Sequence, residues 1–128
     1  MSYTALAGPI VAIATLMLIQ LLTADVLGIR AKHTPGTPVT SSHEDILFRA
    51  TRALANTNES IAILLLLLAA GVLSGADAGL MTSAAWAYVA GRALHMAFYY
   101  ANLQILRSVA FVLVLLSLIA LWVIAIWF

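Results

Sequence analysis

Four polar side chains, Arg49, Arg52, Asn56 and Glu59, recur along one apolar stretch at steps of three, four and three residues. That spacing puts all of them on one face of a helix. A second set, Arg92, His95 and Tyr99, repeats the three-and-four rhythm, and Arg107 and Ser108 open the last apolar run. A charge at the centre of a membrane-spanning helix costs about 2.5–3.5 kcal/mol on insertion scales, so such residues face a bundle interior or a wet cavity. Bland roles cover parts of the pattern. Arg92 and Glu59 can pair, Arg49 can snorkel to headgroups, His95 can bond across helices, and Ser108 can cap a helix. Four arginines exceed what one Glu59 requires. The surplus of positive charge points to an anionic ligand with carboxylates, which guanidinium grips bidentately.

The elements that must position these groups are membrane helices. A span needs roughly 20 mostly apolar residues, and four segments qualify, at about 3–29, 46–73, 80–103 and 108–128. No strand-like alternation is present, so a barrel is excluded. The first segment lacks a basic lead-in and is too long for a signal peptide, so it is expected as a retained helix. All three prolines fall in the one long loop, 30–45, whereas 74–79 (SGADAG) is a tight turn. His33 and His43 share that long loop with Glu44 and Asp45, a solvated loop rather than a metal site. The Gly71-x-x-x-Gly75 pair runs into a turn and has little weight as a packing motif.

Composition supports the membrane assignment. The 128 residues are 64% apolar and 9% charged, against roughly 45–50% and 25% in a soluble domain. A soluble globule of this size cannot bury so much apolar surface, and the chain is read as a single domain, 1–128. The net charge of +1 without a polybasic run excludes nucleic acid as a partner. The absence of cysteine excludes disulfides, thiolate metal sites and a protein thiol nucleophile. Basic residues gather at the first and third connections (Arg30, Lys32, Arg49, Arg52 and Arg107). The positive-inside rule then puts both termini outside, periplasmic in a bacterial inner membrane. Trp86, Tyr88, Trp122 and Trp127 suit an outer aromatic belt.

The run Arg49-x-x-Arg52-Ala53-x-x-Asn56-x-x-Glu59 resembles the signature of the MAPEG family, the membrane-associated proteins in eicosanoid and glutathione metabolism. Gly91-Arg92-Ala93-Leu94-His95-Met96-Ala97-Phe98-Tyr99, followed by Arg107-Ser108, resembles the family's third-helix stretch. The likeness spans essentially the whole chain and is nearest to the family's bacterial branch. It departs from the prostaglandin-synthase branch at Ala55, where that branch has arginine, and at Phe111, where it has tyrosine. The resemblance implies an all-α four-helix membrane bundle that assembles as a homotrimer, with glutathione bound between subunits. It further implies that Arg30, Arg52, Asn56, Glu59, His95 and Tyr99 bind glutathione. Arg107 would stabilise its thiolate, assisted by Ser108, since a nearby cation lowers a thiol pKa.

The function expected on this basis is a glutathione transferase or glutathione-dependent peroxidase acting on lipophilic electrophiles that enter from the lipid. The alternative is a non-catalytic structural or accessory membrane subunit that keeps the polar face for packing. A small multidrug transporter ranks last, because it would want a carboxylate in the middle of the first helix and Asp25 sits near its end.

Overall fold

The computed structural model describes residues 2–128 and contains four long helices: α1 (Ala7–Arg30), α2 (Ile46–Ser74), α3 (Ala78–Tyr100) and α4 (Gln104–Trp127). A short 3-10 turn, Thr4–Leu6, leads into α1. The described residues contain no strand, and the all-α expectation holds.

Local sequence explains where the helices start and stop. Pro9 lies in the first turn of α1, where its missing N–H has no intrahelical partner to lose. Asp45 and Asp77 cap α2 and α3 by accepting hydrogen bonds from the Leu47 and Leu80 amides at 3.0 and 2.8 Å. The first three helices all end in one kind of turn, with a residue at positive φ: Lys32 (54°), Gly75 (77°) and Asn102 (58°). In each, the next amide reaches back five residues, from His33 to Gly28, Ala76 to Gly71 and Leu103 to Phe98, at 2.8–3.0 Å. This closes the orphan carbonyls of the last turn.

The left-handed Asn102 also fixes where α4 begins. Nothing in Leu103-Gln104-Ile105-Leu106 breaks a helix, so α4 starts at Gln104, ahead of the expected Ser108. Ser108 therefore is not a cap; its hydroxyl donates to the Gln104 carbonyl within the helix.

The core is built of Ile13, Leu64, Met81, Tyr88, Val114 and Leu121, drawn from all four helices. Helices α3 and α4 approach each other tightly at Gly91. A Cβ there would lie 2.8 Å from the Val114 side chain and 3.2 Å from its backbone nitrogen. At the end of the bundle that carries the termini, the Tyr3 hydroxyl donates to the Ala76 carbonyl, and Asp77 N–H to the Phe128 carbonyl.

Three segments, Thr4–Arg30, Ile46–Ser74 and Gln104–Trp127, are long and apolar enough to cross a membrane. Of the four spans expected, α3 is the one not apolar enough. Its 23 residues reach about 35 Å at 1.5 Å per residue. Arg92, His95 and its tyrosines lower its hydropathy, and the bundle buries Tyr88, Arg92, His95 and Tyr99. Short turns join α3 to α2 and α4, so it runs back between the same two ends.

Candidate functional site

The polar groups collect in the half of the bundle near the long loop. Arg92 is fully buried on α3. Its Nη1 donates to Asn56 Oδ1 and its Nη2 to Ser60 Oγ, both at 2.6 Å. Ser60 is bonded in turn to the Tyr88 hydroxyl at 2.7 Å, and the guanidinium carbon lies 5.7 Å from the Tyr88 ring centre. Asn56 and Ser60 stand one turn apart on α2, so a single planar fork spans both oxygens. The Arg92–Glu59 pairing considered from sequence is not what forms. Glu59 is exposed and has no hydrogen bond or ion pair among the described residues.

One turn nearer the loop lies a second cluster. The Arg107 guanidinium sits 4.5 Å from the Tyr99 ring centre, in the range of a cation–π contact. His95 packs against the same ring at 5.3 Å between centroids. Tyr99 and His95 are buried. Arg107 is half-buried, and its Nη1 has no hydrogen-bond partner.

A cavity of about 370 Å³ opens here, lined by Asn56, His95, Tyr99, Arg107 and Ser108, with Phe111 and Val112 as its apolar wall. A smaller one of about 170 Å³, bordered by Glu59 and Arg92, adjoins it through the shared Asn56 and Phe111. A larger cavity, about 470 Å³, lies apart under the long loop, beside Asp25, Gly28 and Leu47, and none of the candidate residues lines it.

The structure thus brings Asn56, His95, Tyr99, Arg107 and Ser108 around one cavity and puts Glu59 at its neighbour. Arg30 and Arg52 line neither cavity and are exposed on the single chain. The four-residue face of α2 is split as well. Asn56 turns partly inward to Arg92, whereas Arg52 and Glu59 face outward.

Sequence reading missed Ser60 and gave two further participants other roles: Tyr88, expected in an outer aromatic belt, is fully buried, and His43, expected in a solvated loop, reaches the site. Ser60 and Tyr88 complete the Arg92 network, and each lies four residues from a residue already singled out, Asn56 and Arg92. His43 comes from the long loop to reach Tyr99, at 3.3 Å between Nε2 and the hydroxyl. Arg49 does not simply snorkel; its Nη1 donates to the His43 carbonyl at 2.6 Å. His33 bonds within its own turn to the Thr37 carbonyl, so the two loop histidines serve different partners.

No curated protein and no solved structure matches the chain. A family model does, that of the MAPEG family, over residues 6–127. With nearly the whole length matched and an all-helical bundle of membrane-spanning helices, the chain belongs to the MAPEG family and is an integral membrane protein with a glutathione-related enzymatic or accessory role.

Proposed function

We propose that this protein is a membrane-bound glutathione transferase or glutathione-dependent peroxidase that acts on lipophilic electrophiles. The observation that carries it is Arg107, a guanidinium held on Tyr99 with a buried nitrogen left unbonded beside a cavity that Asn56 and His95 also line. Glutathione offers two carboxylates, an ammonium and a thiol. Guanidinium groups suit the carboxylates, and the unpaired Glu59 carboxylate suits the ammonium. When bound, glutathione supplies the nucleophilic thiol. Arg107 favours its thiolate form by charge, in a partly desolvated place where that field is weakly screened. Ser108 points its hydroxyl at its own helix and assists less.

Arg52 and Glu59 lie exposed on a helix apolar enough to span the bilayer. Charges left in hydrocarbon are costly, so we assign this face to contacts between subunits of a homotrimer, with glutathione between them and Arg30 reaching its carboxylate. The basic residues of the first and third connections support an orientation with both termini on the periplasmic side of a bacterial inner membrane.

One observation favours a second reading, a non-catalytic accessory subunit. The Asn56 oxygen is taken by Arg92, so part of the signature holds the bundle together. Turnover of a chlorodinitrobenzene by purified protein separates the two. The transferase reading expects glutathione-dependent activity that Arg107→Ala lowers near neutral pH and that partly returns as pH rises and thiolate forms unaided. Ser108→Ala should do less. A wild-type pH profile in Arg107→Ala removes Arg107 from the mechanism, and no thiol-dependent turnover in the wild type leaves the accessory reading.

A further inference from the structure

His43 is 56 residues from Tyr99 along the chain, yet its ring lies over the site. The two rings are stacked with centroids 6.0 Å apart, and Phe48 closes on His43 edge-on at 5.0 Å. The main chain at His43 is held by Arg49, whose guanidinium donates to its carbonyl. Two residues on, the Asp45 carboxylate accepts from Ser41 Oγ at 2.7 Å and from the Leu47 amide, which ties the end of the loop to the first turn of α2. Segment 41–45 is therefore a strap pinned at several points.

What the strap touches is the support of Arg107. Among the described residues, the Arg107 side chain has no hydrogen bond, and its guanidinium rests on the Tyr99 ring. The Tyr99 hydroxyl has one hydrogen-bond partner among the described residues, His43. Tyr99 is buried, so a hydroxyl deprived of that partner must turn to find another. A turned ring no longer lies under the guanidinium, and a long arginine side chain at the membrane boundary is then free to swing to water.

We propose that His43 is a positioning residue, which acts through Tyr99 to fix where the Arg107 guanidinium points. The step from His43 to Arg107 stands on contacts within the chain. Its effect on thiol chemistry rests on the glutathione reading above.

The experiment measures the two separately in His43→Ala, His43→Phe and His43→Gln, with the helical circular dichroism of each as the check on folding. Phenylglyoxal modification of Arg107, followed by mass spectrometry, reports the freedom of the guanidinium without any glutathione. Thiolate absorbance of bound glutathione, titrated with pH, reports its effect on the thiol. Loss of one hydrogen bond should speed modification by about 3- to 10-fold and lower the thiolate fraction at neutral pH by a similar factor. His43→Phe, which keeps the ring packing but not the bond, should behave as His43→Ala does. His43→Gln, whose amide can replace the ring nitrogen, should return both values toward wild type. Modification rates equal to wild type in His43→Ala and His43→Phe overturn the proposal. So does faster modification with an unmoved thiol pKa, because His43 then only shields Arg107. If wild-type protein binds no glutathione, the glutathione reading falls and the modification rates alone decide.

Discussion

Arg92 carries its charge into the bundle without a carboxylate. Two neutral oxygens, from Asn56 and Ser60, receive its two terminal nitrogens. Lysine keeps the charge but has no planar fork to span both. Arg92→Lys should therefore lose one charge-assisted bond and about 1.5–3 kcal/mol of stability, read from unfolding in detergent. Glu59→Gln removes a charge that makes no hydrogen bond or ion pair among the described residues of its own chain, so the fold of that chain should change by no more than about 0.5 kcal/mol in the same assay. Comparable losses in both variants would mean that Glu59 supports Arg92 after all. The contrast also marks how far residue types could be read in advance. The three-and-four spacing picked out Asn56, His95 and Tyr99, which line the cavity, because a polar face on an apolar helix stands out, but it also picked out Arg49 and Arg52, which do not. It could not choose between Glu59 and Asn56 as the partner of Arg92, since both lie within a turn of each other and side-chain reach decides. Ser60 gave no signal of its own, because a serine in an apolar helix ordinarily bonds to its own backbone.

The helices themselves were more legible than their junctions. Long apolar runs separated by one proline-rich loop and one glycine turn leave few arrangements other than a bundle, and the all-α four-helix fold follows from them. The start of α4 escaped because the turn before it depends on Asn102 taking a left-handed conformation, a tertiary choice that few residues signal. His43 escaped for a similar reason: no local periodicity governs a loop that closes on a helix 56 residues away. Two outcomes test the element-level account. Gly91→Val would force a side chain into Val114 and its backbone, so it should pry α3 from α4 and cost about 1–3 kcal/mol or more, measured by thermal unfolding. At the loop junction, the Ser41 hydroxyl and the Leu47 amide hold the Asp45 carboxyl below its ordinary pKa. A depressed folded pKa contributes stability that is present above the unfolded value of about 3.9 and fades as pH falls through the folded one. The protection of the Leu47 amide, judged from its exchange rate relative to the intrinsic rate at the same pH, should accordingly fall under acid conditions in the wild type. In Asp45→Asn, whose side chain does not titrate, that acid step should be absent.

At the scale of the whole molecule, the single chain presents Arg52 and Glu59 to its surroundings on a helix apolar enough to span a membrane. A trimer that covers this face should survive native mass spectrometry in mild detergent; monomers alone would leave those charges to be met some other way. The burial of Arg92 bears on how the protein is made as well as on how it is held. Helix α3 has no stretch as apolar as those of the other three helices, and the oxygens that receive the two terminal nitrogens of its arginine lie on α2. Only a tight turn through Gly75 separates the two. A translocating machinery that receives α3 by itself would be offered an uncompensated cation, whereas the α2–α3 hairpin offers the cation already bonded. The pair should thus partition into the membrane as one unit during synthesis. In a glycosylation-mapping assay, α3 alone should pass into the lumen and the joined hairpin should be retained. Asn56→Leu with Ser60→Ala, which strips the internal partners while making α2 more apolar, should send α3 of the hairpin through again.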